Sequence, residues 1–184
     1  MVFLASFISR LFEPMLVLYA LSIIGGFRSN LIASQLSFYI LYISIFFGAI
    51  FIFKFFIMLR LKTDWDIRER KKRILPLLVL LAVTIGNFFL IRTWNNEILI
   101  NLFILFFIWF LGFFLITLKY KISGHVGIAT LAAGVVTQWF GWWQVFLMIP
   151  LIAWARVETK NHTVLQVILG AIYSWMLVMF TSSI

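Results

Sequence analysis

The two histidines of this chain lie in short polar segments between long hydrophobic stretches. His125 ends the segment Lys121-Ile122-Ser123-Gly124-His125, and His162 follows Arg156 after five intervening residues. Imidazole titrates near neutral pH, so a histidine can serve as nucleophile, acid or base. The guanidinium group of arginine matches the geometry of phosphate oxygens. These residue types together indicate phosphoryl chemistry.

Ser123 stands directly before a hydrophobic run, and serine is a preferred N-cap residue. We therefore expect a helix to begin here. Its first N–H groups and its dipole would favour a bound anion, and Gly124 would allow that anion to approach the backbone closely. The structural alternative is a capped helix that places His125 at the level of the lipid headgroups.

The second segment has a similar layout. Arg156 ends one hydrophobic run and His162 begins the next, and Asn161 can cap that helix. Gln166 follows His162 by four residues, so the two side chains share a helix face. The amide oxygen of Gln166 could accept the imidazole N–H and so determine which ring nitrogen is free. Gly170, four residues further, would keep that face narrow for another helix. The structural alternative is a basic connecting loop with a histidine at the membrane surface.

Taken together, the two segments resemble the type 2 phosphatidic acid phosphatase family, membrane lipid phosphatases related to the vanadium haloperoxidases. Ile122-Ser123-Gly124-His125 matches three positions of the family's Pro-Ser-Gly-His motif. Ala155-Arg156-(five)-His162-(three)-Gln166 keeps the Arg and His of the family's Ser-Arg-(five)-His-(three)-Asp motif. The resemblance covers roughly residues 60–173, the expected motif-bearing core.

The resemblance implies a role for each matching residue. His162 would be the nucleophile that forms a phosphohistidine, and His125 would protonate the departing lipid alkoxide and then activate water. Arg156, Ser123 and the Gly124 N–H would bind the phosphate oxygens and stabilise the charge that develops on them. The resemblance implies no metal ion and no other cofactor.

The chain departs from the family pattern at two places that bear on the chemistry. Gln166 replaces the aspartate that orients the nucleophile, and an amide cannot stabilise an imidazolium by charge. The family's first motif, Lys-(six)-Arg-Pro, is absent, and we expect Arg70 and Arg73 to replace its cations, with help from Lys121. The structural alternative for the basic segment 60–73 is orientation of the protein and contact with anionic lipid headgroups.

The composition determines the elements that must position these residues. The chain is 64% hydrophobic and 11% charged, whereas soluble proteins average about 45–50% apolar residues. We predict an all-α, polytopic integral membrane protein, a single membrane domain over residues 1–184 with six to seven transmembrane helices and an interfacial lead-in at 1–13. The expected spans are Pro14–Phe27, Leu36–Leu59, Ile74–Ile91, Ile98–Leu118, Val126–Phe140, Trp142–Ala155 and Thr163–Phe180. With no cysteine and only two separate histidines, we expect no metal site.

The positive charges indicate orientation rather than nucleic-acid binding. The segment Arg60–Arg73 holds seven of the fifteen Lys and Arg residues, and alternating spans place both histidine segments on the same side. The turns on the other side hold only Arg28 and Arg92. The positive-inside rule then makes the basic side cytoplasmic, in what we expect to be the cell (inner) membrane.

Three functions fit this pattern. The first is a phosphatase that acts on a membrane lipid phosphate, and the sequence does not choose among phosphatidic acid, phosphatidylglycerol phosphate and polyprenyl diphosphate. The second is a membrane protein that binds or transports anionic lipids without catalysis. The third is a Mg²⁺-dependent enzyme like the membrane prenyltransferases, suggested by Asp64-x-Asp66, although such enzymes use two acidic loops and this chain has one. The sequence carries no signal for an oligomeric state.

Overall fold

We describe the fold from a computed structural model, which defines residues 1–61, 67 and 69–180. Over these residues the chain forms helices joined by short turns, and it contains no strand. This confirms the predicted all-α class, and the apolar character of the helices confirms an integral membrane protein. Asp64 and Asp66 lie outside the described residues, as does Arg68 of the basic segment.

Eight α-helices follow one another along the described part of the chain. Two short 3₁₀ segments, Lys71–Arg73 and Trp143–Leu147, lead directly into the α-helices that follow them. The α-helices are α1 (Val2–Leu11), α2 (Pro14–Arg28), α3 (Ala33–Leu61), α4 (Ile74–Arg92), α5 (Glu97–Lys119), α6 (Gly124–Phe140), α7 (Met148–Glu158) and α8 (Val164–Phe180).

Within the described residues, four stretches are long and apolar enough to cross a membrane: Val2–Arg28, Ala33–Arg60, Lys71–Arg92 and Glu97–Lys119. The first joins α1 to α2, so the segment predicted as a lead-in is helical. α6 and α8 have 17 residues each and extend about 26 Å, slightly less than a bilayer core of about 30 Å. The expected span Trp142–Ala155 is instead a 3₁₀ segment followed by the 11-residue helix α7.

The first of two compact units combines Met1–Leu18 with Lys121–Ile184. Here α6 packs along α8, and α1 and α8 both pack on α7. The α6–α8 contact is close because Gly134 faces Val178, and a Cβ at position 134 would lie 2.6 Å from a methyl carbon of that valine. Small residues at a helix contact allow backbones to approach in this way. Gly141 ends α6 with a left-handed backbone, φ 73°.

The second unit is Tyr19–Tyr120, in which α4 and α5 form a helical hairpin. Asn96 caps α5 by accepting a hydrogen bond from the Leu99 N–H at 3.2 Å, and its amide donates to the Ser29 carbonyl at 2.8 Å. α3 buries a single stripe, namely Tyr39, Ile43, Phe47 and Ile50. This spacing of four, four and three residues follows one helix face, and most of the remaining α3 surface is exposed, as expected next to lipid.

Candidate functional site

The first histidine segment meets α8 at the start of α6. Ser123 is the N-cap of α6, as predicted, and its Oγ accepts a hydrogen bond from the Val126 N–H at 3.4 Å. The Ser123 N–H donates to the Gln166 carbonyl at 3.0 Å. A Cβ on Gly170 would lie 2.6 Å from the Ser123 carbonyl oxygen. Gly170 is therefore the residue that lets the Ser123 backbone lie directly against α8.

His125 is the second residue of α6 and is buried, with 7% of its surface exposed. Gly124, the first residue of the helix, stands between it and the Ser123 cap. The first N–H groups of a helix have no partner within the helix, and the helix dipole makes this end positive. The N-terminal ends of α6 and α8 are adjacent through the Ser123 contacts, so both dipoles favour an anion at this place.

His162 contacts Gln166 as the sequence predicted, with 3.1 Å between imidazole Nδ1 and amide Oε1. Gln166 Oε1 also accepts the Thr163 N–H at 3.3 Å, and Thr163 Oγ1 accepts the Gln166 N–H at 3.4 Å. These reciprocal bonds form a capping box at the start of α8. The cap of α8 is therefore Thr163 rather than Asn161, because the Thr163 side chain accepts the N–H three residues later in the chain.

The capping box determines the tautomer of His162. The Thr163 N–H can only donate, so the amide atom that it meets must be the oxygen of Gln166. An amide oxygen can only accept, so His162 Nδ1 must carry the hydrogen that it shares with Gln166. In the neutral ring, the lone pair is then on Nε2.

Arg156 lies in the last turn of α7 and is almost completely buried, with 1% exposed. Its carbonyl oxygen accepts the N–H groups of both Asn161 and His162 at 3.2 Å, so the turn after α7 folds back on it. Its guanidinium Nη1 donates to Ser9 Oγ on α1. A cation at the C-terminal end of a helix is also favoured by the helix dipole.

Lys121 joins the two histidine segments. Its Nζ donates to the Asn161 carbonyl oxygen at 2.8 Å, which connects the residues before α6 to the turn before α8. Hydrogen bonds therefore link Lys121 to the turn that carries His162, link Ser123 to Gln166, and link His162 to Arg156 through the backbone. These five residues of the predicted site lie in one compact unit.

Arg70 and Arg73 belong to the other unit and contact backbone oxygens there. Arg70 Nη1 donates to the Thr117 carbonyl at 3.2 Å and to the Leu118 carbonyl, both in the last turn of α5. Arg73 Nε donates to the Ile67 carbonyl at 2.6 Å. The Arg70 bonds cap the end of α5, and the Arg73 bond closes a local turn. Binding of phosphate by the two arginines stays a prediction.

Sequence reasoning missed two residues of this region. Thr163 could have been found, because Thr163-x-x-Gln166 before an apolar run has the pattern of a capping box. Ser9 carried no such signal, since nothing local connects it with Arg156. Within the described residues, no group of three or more His, Cys, Asp or Glu side chains could hold a metal ion. Comparisons with protein-family models, with curated proteins and with solved structures find no match to this chain.

Proposed function

We propose that this protein is a membrane lipid phosphate phosphatase that works through a phosphohistidine formed on His162. The observation that carries the proposal is the position of Gln166 Oε1 between the Thr163 N–H and His162 Nδ1. A ring held in this way presents its Nε2 lone pair in a fixed direction, which is what a nucleophilic histidine requires.

In the first step, His162 Nε2 attacks the phosphorus atom and the bond from phosphorus to the lipid oxygen breaks. His125, protonated, gives its proton to the departing oxygen, so the lipid product leaves as an alcohol. In the second step, His125 removes a proton from a water molecule that attacks the phosphohistidine. The N–P bond breaks, inorganic phosphate leaves, and both imidazoles return to their starting states.

The groups around the two histidines suit the charge of this reaction. Arg156 supplies a guanidinium, Ser123 a hydroxyl, Gly124 a backbone N–H at the start of a helix, and Lys121 an ammonium next to that start. The low exposure of Arg156 and Ser123 to water strengthens electrostatic stabilisation of the phosphoryl oxygens. The scheme uses no metal ion.

The distribution of cations supports a cytoplasmic position for the histidine segments, in the cell (inner) membrane. The lipid tail would then remain in the bilayer while its phosphate reaches the helix ends. The apolar surfaces of the helices suit acyl and prenyl chains equally well, so the proposal covers lipid phosphomonoesters and diphosphates as one class.

The capping box also supports a second candidate, a protein that binds or moves anionic lipids without turnover. The Gln166 side chain accepts the Thr163 N–H, and the Thr163 side chain accepts the Gln166 N–H. Helix capping alone explains both bonds. The same cationic, dipole-rich site would hold a lipid phosphate without any nucleophilic attack. Only turnover distinguishes the two candidates.

The test is release of inorganic phosphate from a panel of lipid phosphates by the purified protein, with and without EDTA. We expect wild type to release phosphate in EDTA and His162→Ala to release none, while both remain folded in detergent. The ³²P label on the protein should survive base and be lost in acid, as expected for a phosphohistidine. Binding without release by wild type would favour the lipid-binding candidate, and release that requires Mg²⁺ and a prenyl donor would favour the prenyltransferase.

A further inference from the structure

The N-terminal helix α1 belongs to the same compact unit as the two histidine segments. Ala5 and Ile8 of α1 form a buried apolar cluster with Ala155 of α7, and Phe12 and Trp154 pack against it. This contact uses only one side of α1, because Leu4, Phe7 and Leu11 are exposed. α1 is therefore held against the helix that ends in Arg156.

The turn after α1 helps to fix its position. Glu13 is buried, and its Oε2 accepts the N–H groups of Met15 at 2.7 Å and Leu16 at 3.2 Å. Pro14 follows as the first residue of α2, where its missing N–H would have no helical partner in any case. This cap begins α2 three residues after the end of α1.

Ser9 is the polar residue on the buried side of α1. It is 4% exposed. Ser9 and Arg156 each directly follow a residue of the apolar cluster, Ile8 and Ala155 respectively. Its Oγ accepts the hydrogen bond from Arg156 Nη1. A guanidinium is a planar fork with five donors, so fixing one nitrogen and the stem limits the directions in which the others point. The free energy of a buried guanidinium also depends strongly on each oxygen atom that accepts a hydrogen bond from it.

We infer that Ser9 is a positioning residue, which holds the Arg156 guanidinium in the orientation that binds the phosphoryl group. This inference rests on the proposed function and adds to it. The phosphate site is not complete within the two histidine segments, because a third segment, 147 residues earlier in the chain, orients its arginine. Ser9 itself touches Arg156 and does not act on the substrate.

The experiment compares Ser9→Ala with Ser6→Ala, a partly buried serine on the same helix, in the full-length protein. The measured quantities are kcat/KM for a lipid phosphate and the inhibition constant of inorganic phosphate. We expect Ser9→Ala to lower kcat/KM and to weaken inhibition by roughly ten- to a hundred-fold, the range for losing a hydrogen bond to a charged group. Ser6→Ala should change neither. If Ser9→Ala does not fold, Ser9→Cys, with a weaker acceptor of similar size, takes its place.

A double-mutant cycle with Arg156→Lys separates positioning from a general effect on the fold. If Ser9 acts through the guanidinium, Ser9→Ala should cause less than about a twofold further loss once Arg156 is lysine. An equal loss in both backgrounds would overturn the inference, and so would normal phosphate inhibition in Ser9→Ala. These results leave the phosphatase proposal intact. A wild-type protein that releases no phosphate from any lipid would overturn the proposed function, and the role of Ser9 with it.

Discussion

The two polar regions that the sequence assigned to phosphate differ in how the protein holds them. In the histidine segments, His125, His162 and Arg156 are each at most 7% exposed. In the basic segment, Lys72 pairs with Glu69 at 2.6 Å, with side chains 37% and 66% exposed. Buried charges interact strongly and are hardly screened, whereas exposed ion pairs contribute little. The larger number of cations therefore lies in the basic segment, and the buried polar groups lie in the histidine segments.

The helix ends explain the difference. Arg70 meets carbonyl oxygens at the end of α5, Arg73 meets the Ile67 carbonyl and Lys72 meets an acid at the surface, so these three cations complete local structure. The histidine segments meet two helix N-termini, where N–H groups and positive dipoles favour an anion. We expect substitutions in the histidine segments to change turnover and substitutions in the basic segment to leave it unchanged.

After the complete loss expected for His162→Ala, the largest expected effect is that of His125→Ala. We expect the rate of phosphate release to fall by roughly 10²–10⁴-fold, because the departing lipid oxygen loses its proton donor. The control is Lys72→Ala in the basic segment, which should leave the rate unchanged since its partner is a surface carboxylate. Equal losses in the two variants would remove the contrast between the regions.

Next in size is Gly170→Ala. Because the new methyl group would lie 2.6 Å from the Ser123 carbonyl oxygen, the start of α6 must move. We expect about 1–3 kcal/mol of lost stability, as for other overpacked sites, and a lower rate of phosphate release. Detergent unfolding and the phosphatase assay measure these two effects.

Gly86→Ala is the matched control for that substitution, since a Cβ at position 86 meets nothing within 4 Å. Alanine is the better helix former, so this variant should be as stable as wild type or more stable by up to about 1 kcal/mol. If Gly170→Ala behaves like Gly86→Ala, the close approach of Ser123 to α8 has no bearing on function.

A smaller effect, on pH dependence, is expected for Gln166→Asp. A carboxylate beside His162 favours the imidazolium, so the pKa of His162 should rise above its value beside the amide. The nucleophile must be neutral, and the acidic limb of kcat/KM should therefore move to higher pH. Gln35→Glu, at the exposed start of α3, should leave the profile as it is. An unaltered profile for Gln166→Asp would mean that residue 166 only caps α8.

The smallest effect is expected for Arg70→Ala. It removes the donor to the Thr117 and Leu118 carbonyls, so we expect a loss of about 1 kcal/mol in the free energy of unfolding. The KM for the lipid phosphate should stay the same. A raised KM with unchanged stability would instead support the sequence-based assignment of Arg70 to phosphate binding.

Local patterns along the chain were sufficient for several features. The hydrophobic runs predicted a helical membrane protein, Ser123 was predicted as a helix cap, and the spacing of His162 and Gln166 predicted their contact. The last two depend on residues within one helical turn, where backbone geometry alone determines which atoms meet. The capping box of Thr163 and Gln166 is equally local, although the sequence analysis did not identify it.

The sequence by itself thus determined the class of protein, most helix boundaries and the contacts made within single turns. Only the tertiary structure decided that Ser123 lies on Gly170, that Lys121 reaches the Asn161 carbonyl, and that Arg156 points to Ser9. The physical reason is that these bonds join distant segments, and their partners are chosen by how helices pack. Glycine at position 170 and the apolar side of α1 permit such packing, but neither residue type specifies its partner.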